Sequence, residues 1–402
     1  MKSNPTKAIG YNLFLINAFV YIAGSVYGPF QSAFFSSHGM NSVQIGILMT
    51  ISPIASICIQ PLWAMVSDRT GKRKAILSLV ALGSGLGLLS FYLGNTFLTY
   101  FIASVIFALF ITSIVPLSDA IIIREANKIN LDFAMIRLGG TIGFSIMVVL
   151  AGQILKVQPN SLFFMGFLGY MCLLLFVLRL KKDTAKGSKH VLKAPEDLLG
   201  KKTRGILSIF RSRTIIFVLT FALLSQIGLS FYWSFLGVYL LDLGYGQTVL
   251  GWVNCISALT EIPTLVFINR LIRKFGSMKI LFASCLLLTV RLFLITLGSL
   301  PIILLAQLLH GFTYMTIYFS CAVYINDHVW HGKQSQGQSF LAIVQTGIGS
   351  IIGNITGGYL VRQLGITSAY AFMAVAIIAV AFAIGFVQVV YQKSRRQQPV
   401  EP

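Results

Sequence analysis

Glu261, Arg291 and His310 each stand alone within a long apolar run. An ionisable group surrounded by hydrocarbon costs at least ~2.5–3.5 kcal/mol on insertion scales, so each needs a partner or water. The chemistry open to this trio is proton handling. Histidine titrates near neutrality, and a glutamate near an arginine binds its proton in a way that responds to its surroundings. The same trio also fits a plainer arrangement, a fixed ion pair locking two helices beside a neutral, hydrogen-bonded His310. Asp119 and Arg137 form a second pair, eighteen positions apart. Their position near helix ends fits a gate or a helix-end salt bridge. Asn17 and Tyr27 on the first run, and Gln226 and Trp233 on the seventh, offer hydrogen bonds and flat rings to a ring-shaped ligand. Tyrosine and tryptophan near the ends of apolar runs also serve as interface belts.

The elements that must position these residues are set by hydropathy. Of 402 residues, 56% are hydrophobic and 10% charged, and mean hydropathy is +0.82. Soluble domains carry about 25% charged residues, so a soluble enzyme is excluded. Twelve apolar stretches run roughly 9–35, 42–66, 75–95, 97–120, 133–155, 161–181, 213–241, 247–269, 279–299, 301–325, 336–360 and 367–391. Each is near or above the ~20 residues that span a ~30 Å hydrocarbon core as a helix. The first is too long for a signal-peptide core and lacks a small-x-small cleavage site, so a retained span is expected. With a ~1.5 Å rise per residue, Arg291 and His310 lie at similar depths, about 12–13 Å below the outer ends of spans 9 and 10. Glu261 sits one to two turns deeper on span 8, within reach of a long arginine side chain or of an intervening water.

The formal net charge of +20 is explained by topology. All of the 31 basic residues except Lys156, Arg291 and Arg362 fall on one side if the N-terminus is cytoplasmic. Positive-inside bias then puts both termini in the cytoplasm of a multi-pass cell-membrane protein, with some attraction to anionic inner-leaflet lipid. Charges scattered over seven short segments argue against nucleic acid. The five cysteines, Cys58, Cys172, Cys255, Cys285 and Cys321, lie in apolar stretches without metal or disulfide spacing. Neither a metal nor a cofactor is expected, and the absence of a GxxxxGK[ST] motif leaves no engine for ATP-driven pumping.

A Lys-rich connection at 182–212 separates an N-terminal six-helix half, 1–181, from a C-terminal half, 213–392, with a cytoplasmic tail at 393–402. The loop after span 2 reads Asp68-Arg69-Thr70-Gly71-Lys72-Arg73, and a degraded copy ends at Gly276, 205 positions later. Gly71 suits a tight turn between helices 2 and 3, and Asp68 can pair with basic groups at neighbouring helix ends. Two parallel six-helix halves match a transporter plan with a solute site near the bilayer midplane.

With that loop, twelve spans and a central basic linker, nearly the whole chain resembles the major facilitator superfamily. Glu261 with Asn269, Thr289-Val-Arg291 and Gln307-Leu-Leu-His310-Gly look like the branch of phenylpropionate permeases and lactose and nucleoside symporters. Asp119 and the Arg137-Leu-Gly-Gly-Thr-Ile-Gly143 run look like the lactose permease pair that is implied to contact sugar. Thr313 and Gln307 stand where that permease has a proton-carrying glutamate and a lysine, so the chain departs from the lactose permease pattern at both positions. The resemblance implies an all-α membrane protein of twelve transmembrane helices in two pseudo-repeats. It is expected to act as a monomeric proton symporter of an oligosaccharide, nucleoside or aromatic acid, with small-molecule and proton partners. A proton-antiporting exporter of drugs or sugars is the alternative, and a sensor or scaffold that moves nothing is the second.

Overall fold

In hydrocarbon every backbone N–H and C=O must be hydrogen-bonded inside the protein, and an apolar run of about twenty residues meets this as a helix. The computed structural model describes residues 5–180, 213–329 and 334–397; the 182–212 connection and the tail beyond Gln397 lie outside the described residues. Among the described residues, eleven helices are long and apolar enough to cross a membrane, or twelve if one bent pair is a single span. We number them α1 Lys7–Ser37, α2 Ser42–Thr70, α3 Arg73–Leu93, α4 Phe97–Lys128, α5 Met135–Val157, α6 Pro159–Leu178, α7 Ile215–Asp242, α8 Gln247–Phe275, α9 Ser277–Thr296, the bent pair α10 Leu300–Gln307 plus His310–His328, α11 Gln336–Leu364 and α12 Ile366–Val387.

Local sequence sets the starts and stops. Asn41 and Gln44 form a capping box that opens α2, and Thr96 and Thr99 form another that opens α4. Gly71 ends α2 in the left-handed region at φ 66°. Asp68 and Arg69 therefore belong to the last helical turn of α2 rather than to a loop. Proline marks two interruptions, at Ile59 just before Pro61 in α2 and at Thr112–Ser113 ahead of Pro116 in α4. Within α11, Ile343–Gly349 is π-helical.

The described residues divide into two compact units. One comprises those within Met1–Glu196 together with Ser234–Leu259, the other those within Asp197–Trp233 together with Thr260–Pro402. The last turns of α7 and the first half of α8 thus belong to the first unit. An aromatic core fills that unit, where the Phe91 and Phe163 rings stack at 4.8 Å and Tyr27 meets Phe107 edge-on at 4.9 Å. The second unit has a core of aliphatic and aromatic side chains drawn from α7, α9, α10, α11 and α12, including Val218, Phe221, Leu281, Ile317, Leu341 and Ala381.

One packing device occurs in both units. On α5, a Cβ at Gly139 would stand 3.0 Å from the Phe14 carbonyl of α1, and one at Gly143 would stand 3.1 Å from the Ala18 carbonyl. On α11, a Cβ at Gly349 would stand 3.3 Å from the Leu223 carbonyl of α7, and one at Gly353 would collide with the Ile227 carbonyl. Two glycines four residues apart thus face two carbonyls four residues apart on each helix pair. Close approach through small residues is the usual basis of helix association in membranes, where burial of apolar surface gives no drive. Gly353→Ala should destabilise the protein by about 1–3 kcal/mol, because the obstacle is backbone and cannot swing aside. Gly24→Ala, whose Cβ meets nothing within 4 Å, should be neutral. Thermal unfolding of the two variants in detergent checks this, and equal midpoints would contradict it.

Candidate functional site

Arg291 is fully buried on α9 and is held by groups from two other helices. Its Nη1 lies 3.0 Å from His310 Nδ1 and donates to Thr313 Oγ1 at 3.3 Å, and its Nη2 donates to Gln307 Oε1 at 2.9 Å. The guanidinium carbon sits 4.1 Å from the centre of the Tyr232 ring on α7, within cation–π range. Tyr232 also donates its hydroxyl to Gln307 Oε1, and Tyr370 of α12 donates to the Tyr232 carbonyl at 3.3 Å. Gln307, His310 and Thr313 follow one another at three-residue intervals along α10.

The bend in α10 falls among these residues. Its two segments meet at 51°, and Leu308 and Leu309 donate to Leu305 and Ala306, three residues back rather than four. The tightened turn lets Gln307 and His310, on opposite sides of the break, both reach Arg291. Gly311 just beyond it donates its N–H to Thr260 Oγ1 of α8 at 3.1 Å, docking α10 against the turn that carries Glu261.

Glu261 completes the chain of contacts. Its Oε1 lies 3.3 Å from His310 Nε2, and 21% of its side chain is exposed while His310 keeps 1%. The tautomer follows from donor chemistry. Arginine has only donors, so His310 Nδ1 must accept, and the single ring proton must sit on Nε2 and be donated to Glu261. His310 is thus a neutral bridge between a cation and a carboxylate. Trp233 meets its ring edge-on at 5.4 Å, and Tyr314 stacks on it at 5.4 Å with 14° between the planes.

In the other unit, Arg137 Nη1 approaches Asp119 at 3.2 Å (Oδ2) and 3.5 Å (Oδ1), and its guanidinium lies 4.8 Å from the centre of the Tyr21 ring. Both side chains are partly exposed, at 38% for Arg137 and 25% for Asp119. Asn17 is buried and accepts the Gly140 N–H at 3.0 Å, tying α1 to α5 beside the glycine crossing. Tyr27 is buried among phenylalanines. Gln226 donates to Ser230 and to Ser350 of α11, at 3.1 and 3.0 Å, two turns along α7 from Trp233. At the end of α2, Asp68 pairs with Arg73 at 3.3 Å, both with exposure. Arg69 and Lys72 flank Gly71 there. Lys74 donates to the carbonyl of Leu178, the last residue of α6, and to that of Leu180 just beyond it.

The structure therefore joins Glu261, His310, Arg291 and Trp233, with Asp119 and Arg137 paired in the other unit. Gln307, Thr313 and Thr260 were not among the sequence candidates. The 307/310/313 spacing around the histidine was the available signal, since residues three apart share a helix face. Among the described residues, no group of three His, Cys, Asp or Glu side chains could hold a metal ion.

The profile described as "MFS_1 like family" matches residues 11–374. The chain belongs to this family. It is an MFS transporter and not an enzyme, with the all-helical fold that the description above requires. The transporter is 24% identical over 367 residues to the maltose permease of Geobacillus stearothermophilus, covering 89% of each chain. It is 23% identical over 373 residues to the probable 3-phenylpropionic acid transporter of Escherichia coli (strain K12), covering 91% of this chain and 93% of that one. The crystal structure of the nucleoside transporter NupG superposes with a TM-score of 0.79 at 18% identity, covering 94% of this chain and 98% of the other.

Proposed function

We propose that this MFS transporter carries a small organic solute across the cell membrane by alternating access, coupled to protons moving in the same direction, with both chain termini in the cytoplasm. The relatives handle a sugar and an aromatic acid, and the fold is shared with a nucleoside carrier. The observation that carries proton coupling is the Arg291–His310–Glu261 chain. His310 cannot take up a proton while Arg291 occupies Nδ1, so an incoming proton goes to the partly exposed Glu261 carboxylate. The His310–Glu261 bond then changes from charge-assisted to neutral, losing roughly half its strength. Protonation therefore loosens a link between α8 and α10, which is what coupling requires. The inward orientation of both termini rests on the basic residues gathered at the same ends of the helices.

The test is a pH electrode on de-energised cells making the transporter. Adding maltose, uridine or 3-phenylpropionate, whichever is taken up, should alkalinise the medium as protons enter with solute. Demonstrated uptake without a pH change would remove proton symport. Acidification would instead mark proton exchange in the opposite sense, the mode of an exporter.

A further inference from the structure

The turn between α8 and α9 gathers Arg270, Arg273, Lys274 and Lys279, and no Asp or Glu follows before Asp327. Gly276 alone joins the two helices, in the left-handed region at φ 82°. Beside this turn a cleft of about 360 Å³ lies between α8, α9 and α10. Leu271 and Phe275 of α8 and Phe312 of α10 supply apolar walls, and on α9 Ala283 and Ser284 are too small to close the gap. Lys279 lines the same cleft, and Lys274 Nζ lies 5.2 Å from the centre of the Phe275 ring. Two ammonium groups thus stand at the end of the cleft nearest the turn. Apolar surface continues from there toward the middle of the spans, with Val290 of α9 48% exposed and Leu308 of α10 51%. Lys279 and Val290 are about 16 Å apart along the helix, on the scale of a fatty-acyl chain.

We infer that this cleft binds an anionic phospholipid, one acyl chain lying between α8, α9 and α10 and the phosphate resting against Lys274 and Lys279. The inference goes beyond the transport reading and does not depend on proton coupling. A groove facing fluid hydrocarbon takes up a chain whatever its head group, because an empty one forfeits dispersion contacts. The head group is selected by charge. Lysine stems run along apolar surface and deliver their ammonium groups to the interface, where basic residues between helices attract anionic lipid. A phosphatidylcholine brings its own cation with its phosphate and gains little there. Phe312 follows Gly311, whose N–H is held by Thr260 of α8. Bound lipid therefore braces the seam between α8 and α10.

The test uses the full-length protein in neutral detergent, mixed with equal amounts of phosphatidylglycerol and phosphatidylcholine bearing identical chains. Native mass spectrometry counts the lipid retained. Phosphatidylglycerol should be preferred by at least about fivefold. Lys274→Gln with Lys279→Gln should lose that preference. Lys7→Gln with Lys72→Gln removes the same charge from two exposed residues of the other unit and should keep it. Equal losses in the two double variants would mean diffuse attraction to every basic residue and would overturn the site. Ala283→Phe fills the cleft with all charges in place and should cut phosphatidylglycerol retention as deeply as the lysine pair does; unchanged retention overturns the acyl-chain assignment. Equimolar inorganic phosphate should displace nothing, and displacement would assign a bare anion instead of a lipid. Phosphatidylglycerol, and not phosphatidylcholine, should raise the thermal midpoint; equal midpoints would overturn the bracing. None of these outcomes touches the transport reading, which has its own test.

Discussion

Replacing Glu261 with Gln should abolish uphill accumulation while leaving counterflow within a few-fold of normal. Glutamine keeps the shape of the carboxyl and still accepts the His310 Nε2 proton through its carbonyl oxygen, so the link between α8 and α10 survives in its neutral form. What it cannot do is alternate between charged and uncharged states. One proton moving through ~100 mV provides roughly 2.3 kcal/mol, and each pH unit adds about 1.4 kcal/mol. Together these sustain a gradient of several hundred-fold for a neutral solute. The variant should accumulate solute only to equality, a loss of more than two orders of magnitude in the inside-to-outside ratio. Unchanged accumulation in energised vesicles would reduce Glu261 to a structural partner.

Arg291→Met should be more damaging, because it acts on stability as well as on transport. Methionine fills part of the space without the charge, removing the arginine N–H groups that Gln307, Thr313 and His310 Nδ1 accept and the cation linked to Glu261 through His310. Breaking a buried charge arrangement by removing one partner costs about 3–5 kcal/mol. Both counterflow and accumulation should fall below a tenth of normal, and the thermal midpoint should drop. The pairing of Arg291→Met with Glu261→Gln discriminates further. Removing both charges restores electrical balance, so the double variant should recover part of the lost stability without recovering accumulation. Strictly additive losses would mean that the two side chains are energetically independent, contrary to the His310 bridge.

Much of this was legible in the sequence, for an identifiable reason. Apolar length alone places the spans, and depth along a helix follows from the rise per residue. The similar depths of Arg291 and His310 thus anticipate their 3.0 Å contact. Depth gives height in the membrane but not rotation about the helix axis, and the missing pieces all depend on rotation. His310 as the bridge to Glu261 lies at the 51° bend of α10, where Leu308 and Leu309 form the break and the one nearby helix-breaking residue, Gly311, comes after it. Asn17 and Tyr27 have polar groups that suit ligand contact, yet their faces of α1 turn into the bundle. The stretch from Asp68 to Thr70 reads as loop because it is polar, but α2 continues past its apolar part until Gly71 adopts a conformation that side chains resist.

The paired glycine crossings bear on how such transporters can be recombined. The contact between α1 and α5, and that between α7 and α11, is backbone against backbone, so neither helix of a pair can be exchanged without re-fitting the other. A chimera with a relative should therefore tolerate transplantation of α1 with α5, or of α7 with α11, far better than transplantation of any one of the four. The natural cassette for shuffling is a pair of helices distant in sequence, and crossover points chosen by sequence continuity would cut through it.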